Sequence, residues 1–196
     1  MGRVSQAQAR ENRRRVVETA SHLFRERGVE VSVAELMHAA GLTHGGFYRQ
    51  FASKESLVEE ALAHALAERA REYEAAPGPG APEPGVPDPN AEDPAAARRA
   101  LIDAYLSPEH RDGAADGCPL AAFAGDMART GDEAARATYT RGVDSYARHL
   151  DDPDHDGLAR LSTMLGAVLL ARATRGTPLS DEILHAAHTA LTAPRD

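Results

Sequence analysis

The residues whose types and spacing could do chemistry lie in one stretch, residues 32–51, SVAELMHAAGLTHGGFYRQF. Thr43-His44-Gly45-Gly46 leads into Tyr48 and Arg49, so a hydroxyl, an imidazole, a phenol and a guanidinium surround two residues without side chains. Two glycines in the first turn of a helix cost roughly 1 kcal/mol each relative to Ala. A surface that presses its backbone against a partner accepts that cost, and a DNA major groove is such a partner. Thr43 offers its hydroxyl, and the helix start its free amides, to a phosphate. This is the chemistry of recognition. No G-x-S-x-G, P-loop, dinucleotide fingerprint or metal quartet occurs, so the reading is a non-enzyme without cofactor or metal. Asp152–Gly157 begins like a calcium loop, but Thr163 stands where the bidentate Glu is required, and Asp156 reads better as a helix cap.

The elements that must position this stretch follow from the hydrophobic period. Val16, Val17, Ala20, Leu23 and Phe24 form one apolar stripe on a helix of residues 7–27, stopped by Gly28. Ser32 and Glu35 make a capping box ahead of a short helix over residues 33–40 that presents Leu36, Met37 and Ala40. Gly41 bends the chain, and Thr43 is placed to cap a second short helix reaching Gln50. That is a helix-turn-helix layout, with Leu42 and Phe47 plugging the angle and Phe51 closing it from below. Ser53 caps a fourth helix that runs to about Tyr73.

Beyond it, residues 77–94 hold seven of the chain's twelve prolines and read as a linker or loop. Helices are expected again over 95–106, 119–130, 132–150, 157–174 and 180–191. The fold class is all-α. The domains are a head over residues 7–60 and a body over residues 95–196.

Charge separates the same two parts. Residues 1–57 carry nine Lys/Arg against six Asp/Glu, and residues 58–196 carry thirteen against twenty-four. A basic head on an acidic body suits a nucleic-acid reader whose larger part stays off the phosphates. No apolar run reaches the roughly 18 residues of a membrane span, and no apolar segment follows the basic start as a signal peptide requires. The single cysteine, Cys118, forms no internal disulfide, and a cytoplasmic location is expected.

Residues 14–57 resemble the DNA-binding domain of the TetR family of bacterial transcriptional repressors. The resemblance is carried by Ala20, Leu23, Phe24 and Gly28, then Val31-Ser32-Val33, Ala40–Thr43, Gly45, Phe47-Tyr48, Phe51 and Ser53–Leu57. It implies that Thr43, Tyr48 and Lys54 touch phosphates while His44, Gly45 and Arg49 face base edges or nearby backbone. Ser32 is counted with these DNA-binding residues. Lys54 is the chain's only lysine, and a compact ammonium suits one phosphate. Two departures from the family's usual residues, His44 and Gln50, leave the operator sequence open.

The resemblance further implies a C-terminal domain that binds a small-molecule effector and forms a homodimer, so that two heads read a palindromic operator. Leu165, Val168, Leu169 and Arg172, with Ile183, Leu184, Ala187 and Leu191, are the candidate dimer faces. Residues 117–127, GCPLAAFAGDM, resemble a stretch of the LmrA/YxaF-like subset. Tyr105, Cys118, Phe123, Met127, Tyr139, Tyr146 and Met164 are the effector-pocket candidates. The leading function is an effector-released repressor. The alternative is a redox or electrophile sensor acting through Cys118, whose thiolate a helix N-terminus would favour.

Overall fold

The computed structural model describes residues 6–75 and 93–193. Every regular element among them is helical. The head is built from α1 (Gln6–Arg27), α2 (Val33–Ala39), a 3-10 segment (His44–Arg49) and the first half of α3 (Lys54–Ala75). The body contains α4 (Pro94–Tyr105), α5 (Pro108–Asp112), α6 (Pro119–Arg129), α7 (Glu133–Leu150), α8 (Gly157–Ala173) and α9 (Pro178–Thr192).

Local chemistry sets most boundaries. Gly28 ends α1 at φ 77°, a left-handed conformation that suits a residue without Cβ, and its N–H reaches the Phe24 carbonyl at 2.9 Å. Ser32 accepts the Glu35 N–H at 3.2 Å while Glu35 accepts the Ser32 N–H at 3.1 Å, which closes the capping box. Arg27 also pairs with Glu35 at 3.0 Å. The Ser32 N–H, Arg27 and the Ser32 hydroxyl together hold the Glu35 carboxyl down at about 2. Asp156 caps α8 by accepting the Ala159 N–H at 3.0 Å.

Several expectations are corrected. The second helix of the turn motif is a 3-10 segment, and Thr43 stands at its N-cap without a side-chain cap bond. Six residues starting His-Gly-Gly have little α propensity, and a 3-10 turn closes with fewer residues fixed. The polar break before Gly117 contains a short helix, α5, capped by Ser107 with Pro108 behind it. The expected linker at 77–94 lies outside the described residues except for its end, where Asp93 caps α4 and Pro94 is its first residue.

The core has two parts. The head part gathers Val16, Ala20, Phe24, Leu36, Met37, Phe47, Phe51, Leu57 and Leu62, and it continues into the body through Phe123, Met127 and Ala135. The body part centres on Leu101, Ile102, Tyr105, Cys118, Leu120, Leu161, Met164, Val168 and Leu184. At the seam, the Phe24 and Phe123 rings meet edge to face at 6.3 Å. Among the described residues no helix is long and apolar enough to cross a membrane.

Candidate nucleic-acid interface

The 3-10 segment is anchored from behind and bare in front. Phe47 and Phe51 are buried and stacked at 5.4 Å, fixing the segment to α1, α2 and α3. On the opposite side Thr43, His44, Gly45, Tyr48 and Arg49 are all exposed, and Tyr48 reaches 68% exposure. So exposed an aromatic offers both an apolar ring face and a hydroxyl to a partner. The Tyr48 ring is steadied edge-on by Phe47 at 5.1 Å and by His44 at 6.4 Å.

Gly45 is informative for what surrounds it. A Cβ built there would meet nothing within 4 Å, so the chain's own packing does not require glycine at this place. Lys54 is half-buried at the start of α3, where it lines a groove with Glu30, Asp126 and Asp132. Ser32 is exposed, but its hydroxyl is engaged with Glu35 in the capping box.

The proposed effector-pocket residues fall into two groups. Phe123 and Met127 belong to the head part of the core, and Met127 also lines a groove of about 350 Å³ with Val29, Val58 and Ala135. Tyr105, Cys118 and Met164 lie in the body part, with half-buried Tyr146 against it. Tyr139 touches both parts and donates its hydroxyl to the Leu120 carbonyl at 2.8 Å. Burial, then the neighbouring Cys118, raises the Tyr139 phenol to about 12.

Around Cys118 the body has a polar knot. Cys118 is 4% exposed, and its N–H donates to His110 Nε2 at 3.3 Å. His110 Nδ1 lies 2.7 Å from the Tyr105 carbonyl, so the ring is neutral with its proton on Nδ1. Burial lowers the His110 imidazole to about 4. Burial and the adjacent Cys118 push the Tyr105 phenol far up. Arg172 donates to the carbonyls of Arg111 and His110, both at 3.0 Å. Arg172 therefore faces inward, not toward a partner as the sequence suggested.

The other dimer candidates also divide. Val168 and Leu184 are buried in this chain's own core. Leu165, Ile183, Ala187 and Leu191 are half-buried against that core, and Leu169 is exposed. Leu158, Leu170 and Leu179 were not singled out from sequence, yet they stand exposed on α8 and α9. α8 is apolar on nearly every side, so its period does not reveal which side faces in.

The calcium-like loop is filled by protein cations. Asp152 is gripped by Arg160 at 2.6 Å and Arg98 at 3.2 Å, and it accepts the Asp154 N–H at 2.9 Å.

A short segment anchored behind by aromatics and presenting exposed polar residues in front, after a helix and a glycine turn, defines a helix-turn-helix DNA-binding protein. Residues 16–61 match the pattern of bacterial regulatory proteins, tetR family, and the chain as a whole is similar to transcriptional regulators of that family. Comparison with curated proteins gave no match. Among solved structures, a TetR transcriptional regulator from Chloroflexus aurantiacus is 25% identical, with TM-score 0.71 over 95% of this chain and 94% of that one. The regulatory protein TetR from Rhodobacter sphaeroides is 20% identical, with TM-score 0.69 over 91% and 95%. AibR, solved with isovaleryl coenzyme A and operator DNA, is 18% identical, with TM-score 0.63 over 94% and 100%.

Proposed function

We propose that this regulator is a homodimeric repressor whose two heads read a palindromic operator and whose body, on binding a small-molecule effector, releases it. The observation that carries the reading is the exposed row Thr43, His44, Gly45, Tyr48 and Arg49 on a segment held rigidly by buried Phe47 and Phe51. In this reading Thr43, Tyr48 and Lys54 take phosphates, and His44, Gly45 and Arg49 meet base edges. The contribution of Ser32 comes through its cap, which sets the start of α2. The space left open at Gly45 is where a base edge or sugar comes close.

AibR binds both a ligand and DNA on a fold of the same kind, which supports the two-input scheme. Operator and effector then favour different placements of the heads, so each weakens the other by linkage. The Gly117–Met127 likeness favours an LmrA/YxaF-like regulator. The effector is assigned to the region around Tyr105, Cys118, Tyr146 and Met164. Sensing by Cys118 is the weaker reading because the sulfur is buried.

The test is selection of bound duplexes from sheared genomic DNA, followed by anisotropy across a salt series. A palindromic site bound with a steep negative salt slope is expected. Tyr48→Ala is expected to weaken that binding about tenfold or more while helix content and oligomeric state stay unchanged. Wild-type affinity in this variant overturns the assigned reading face.

A further inference from the structure

We propose that Arg13 of α1 is a positioning residue that fixes how the reading segment meets DNA. This inference rests on the DNA-reading function assigned above. Arg13 sits three residues before Val16, the first buried residue of α1, and it makes three contacts outside its own helix. Its guanidinium lies over the Phe51 ring, 4.3 Å from the centroid. It donates to the Gln50 carbonyl at the trailing end of the 3-10 segment, and it pairs with Glu60 of α3.

The geometry forms a column. Arg13 covers Phe51, Phe51 stacks on Phe47, and Phe47 meets Tyr48 edge-on at 5.1 Å. The outermost member is the most exposed aromatic of the reading face. A six-residue 3-10 segment with two glycines holds its shape poorly alone, and its last carbonyls need donors. Arg13 supplies one at Gln50 and ties it to α3. The planar fork is suited to carbonyl, carboxylate and ring together, which an ammonium cannot match.

Arg14 provides an internal control. It is exposed, and its ion pairs run to Glu11 and Glu18 on its own helix. Arg13→Met and Arg14→Met each remove one positive charge, but only the first removes the column's cover.

The experiment uses the full chain and the duplex that the wild type selects from a random library, with a scrambled duplex beside it. Arg13→Met is expected to lose about tenfold of the preference for the selected over the scrambled duplex. Arg14→Met keeps that preference, and Arg13→Lys fails to restore it. The slope of affinity against salt is expected to be the same in Arg13→Met and Arg14→Met. A preference in Arg13→Met equal to that in Arg14→Met overturns the proposal. So does a slope reduced by about one phosphate contact with preference intact, which marks a direct phosphate ligand. Should the wild type select no duplex, the DNA-reading function itself fails, and amide exchange in the free protein decides for Arg13 alone. Faster exchange at the Gln50 and Phe51 amides in Arg13→Met, with the rest of α1 unchanged, supports the positioning role. Unchanged protection there overturns it.

Discussion

Arg25 of α1 and Glu68 of α3 form an ion pair at 3.2 Å in which the arginine side chain is only 2% exposed. The same guanidinium donates to the Ser21 carbonyl at 3.2 Å and to the Gly117 carbonyl at 3.5 Å, the residue before Cys118. One buried cation thus joins the first helix of the head, the helix that links head to body, and the turn that opens α6. A buried charge stripped of its partner is costly because nothing else neutralises it.

Glu68→Gln is therefore expected to destabilise the protein by about 1–3 kcal/mol, moderated because Glu68 is itself partly open to solvent. Urea unfolding followed by circular dichroism reads the loss. Exposed pairs provide the contrast. Glu18→Gln, which breaks a surface pair with Arg14, is expected to cost under about 0.5 kcal/mol. Equal losses in the two variants would show that the buried pair carries no special weight.

His110 predicts a pH dependence. Its imidazole is neutral in the fold, lowered by burial from 6.5 to about 4. The unfolded chain takes up a proton that the folded chain refuses, so this part of the stability is complete above about pH 6.5. It falls away as pH drops toward 4, with a slope of at most about 1.4 kcal/mol per pH unit. Protonation at Nε2 also breaks the bond from the Cys118 N–H. Unfolding measured between pH 6.5 and 4.5 should steepen in the wild type and flatten in His110→Gln. Glu35 loses its own contribution chiefly below that window, between its unfolded value of 4.5 and the value of about 2 to which the fold holds it. Parallel pH profiles would contradict the buried neutral ring.

These relationships mark how far the sequence could be read. The Ser32–Glu35 box, the Gly28 stop and the Asp156 cap are decided within a few residues, so their chemistry is visible in the string itself. The stripe of Val16, Ala20 and Phe24 is visible for the same reason, as one face of one helix. Contacts that close over long loops are not. Arg13 finds Gln50 and Glu60, Arg25 finds Gly117, and Arg172 finds His110 and Arg111, all far away in sequence. Phe123 and Met127 read as body residues because they sit in a body helix, yet their neighbours are in the head. α5 escaped because five residues are too short to show a period, leaving only the Ser107-Pro108 start as a signal.

Cys118 gives a chemical prediction. With 4% exposure and its main chain tied to His110, the thiol should resist reagents in the native protein. An aromatic disulfide reagent is expected to titrate no thiol over several minutes in buffer and one per chain in denaturant. Rapid stoichiometric reaction in buffer, with loss of operator binding, would instead favour the electrophile-sensing alternative. Cys118→Ala then separates the two cases, because an effector-released repressor keeps its response without the sulfur.

The outer side of α8 and α9 bears on assembly. Leu158, Leu169, Leu170 and Leu179 are exposed there, with Leu170 at 58%. Single exposed leucines are ordinary, but in the proposed homodimer a second copy of the chain would cover several on one helical hairpin by two-fold symmetry. Leu170→Glu places a charge on that face and is expected to shift sedimentation from dimer to monomer without loss of helix content. Affinity for a palindrome should then fall to that of a single head. Val168, two residues earlier on the same helix, is fully buried. Val168→Ala is expected to cost about 1–3 kcal/mol of stability through a cavity, leaving the dimer intact. The pair of substitutions thus separates an inward from an outward side of one helix that is apolar all round. A Leu170→Glu variant that sediments as the wild type does would place the partner surface elsewhere.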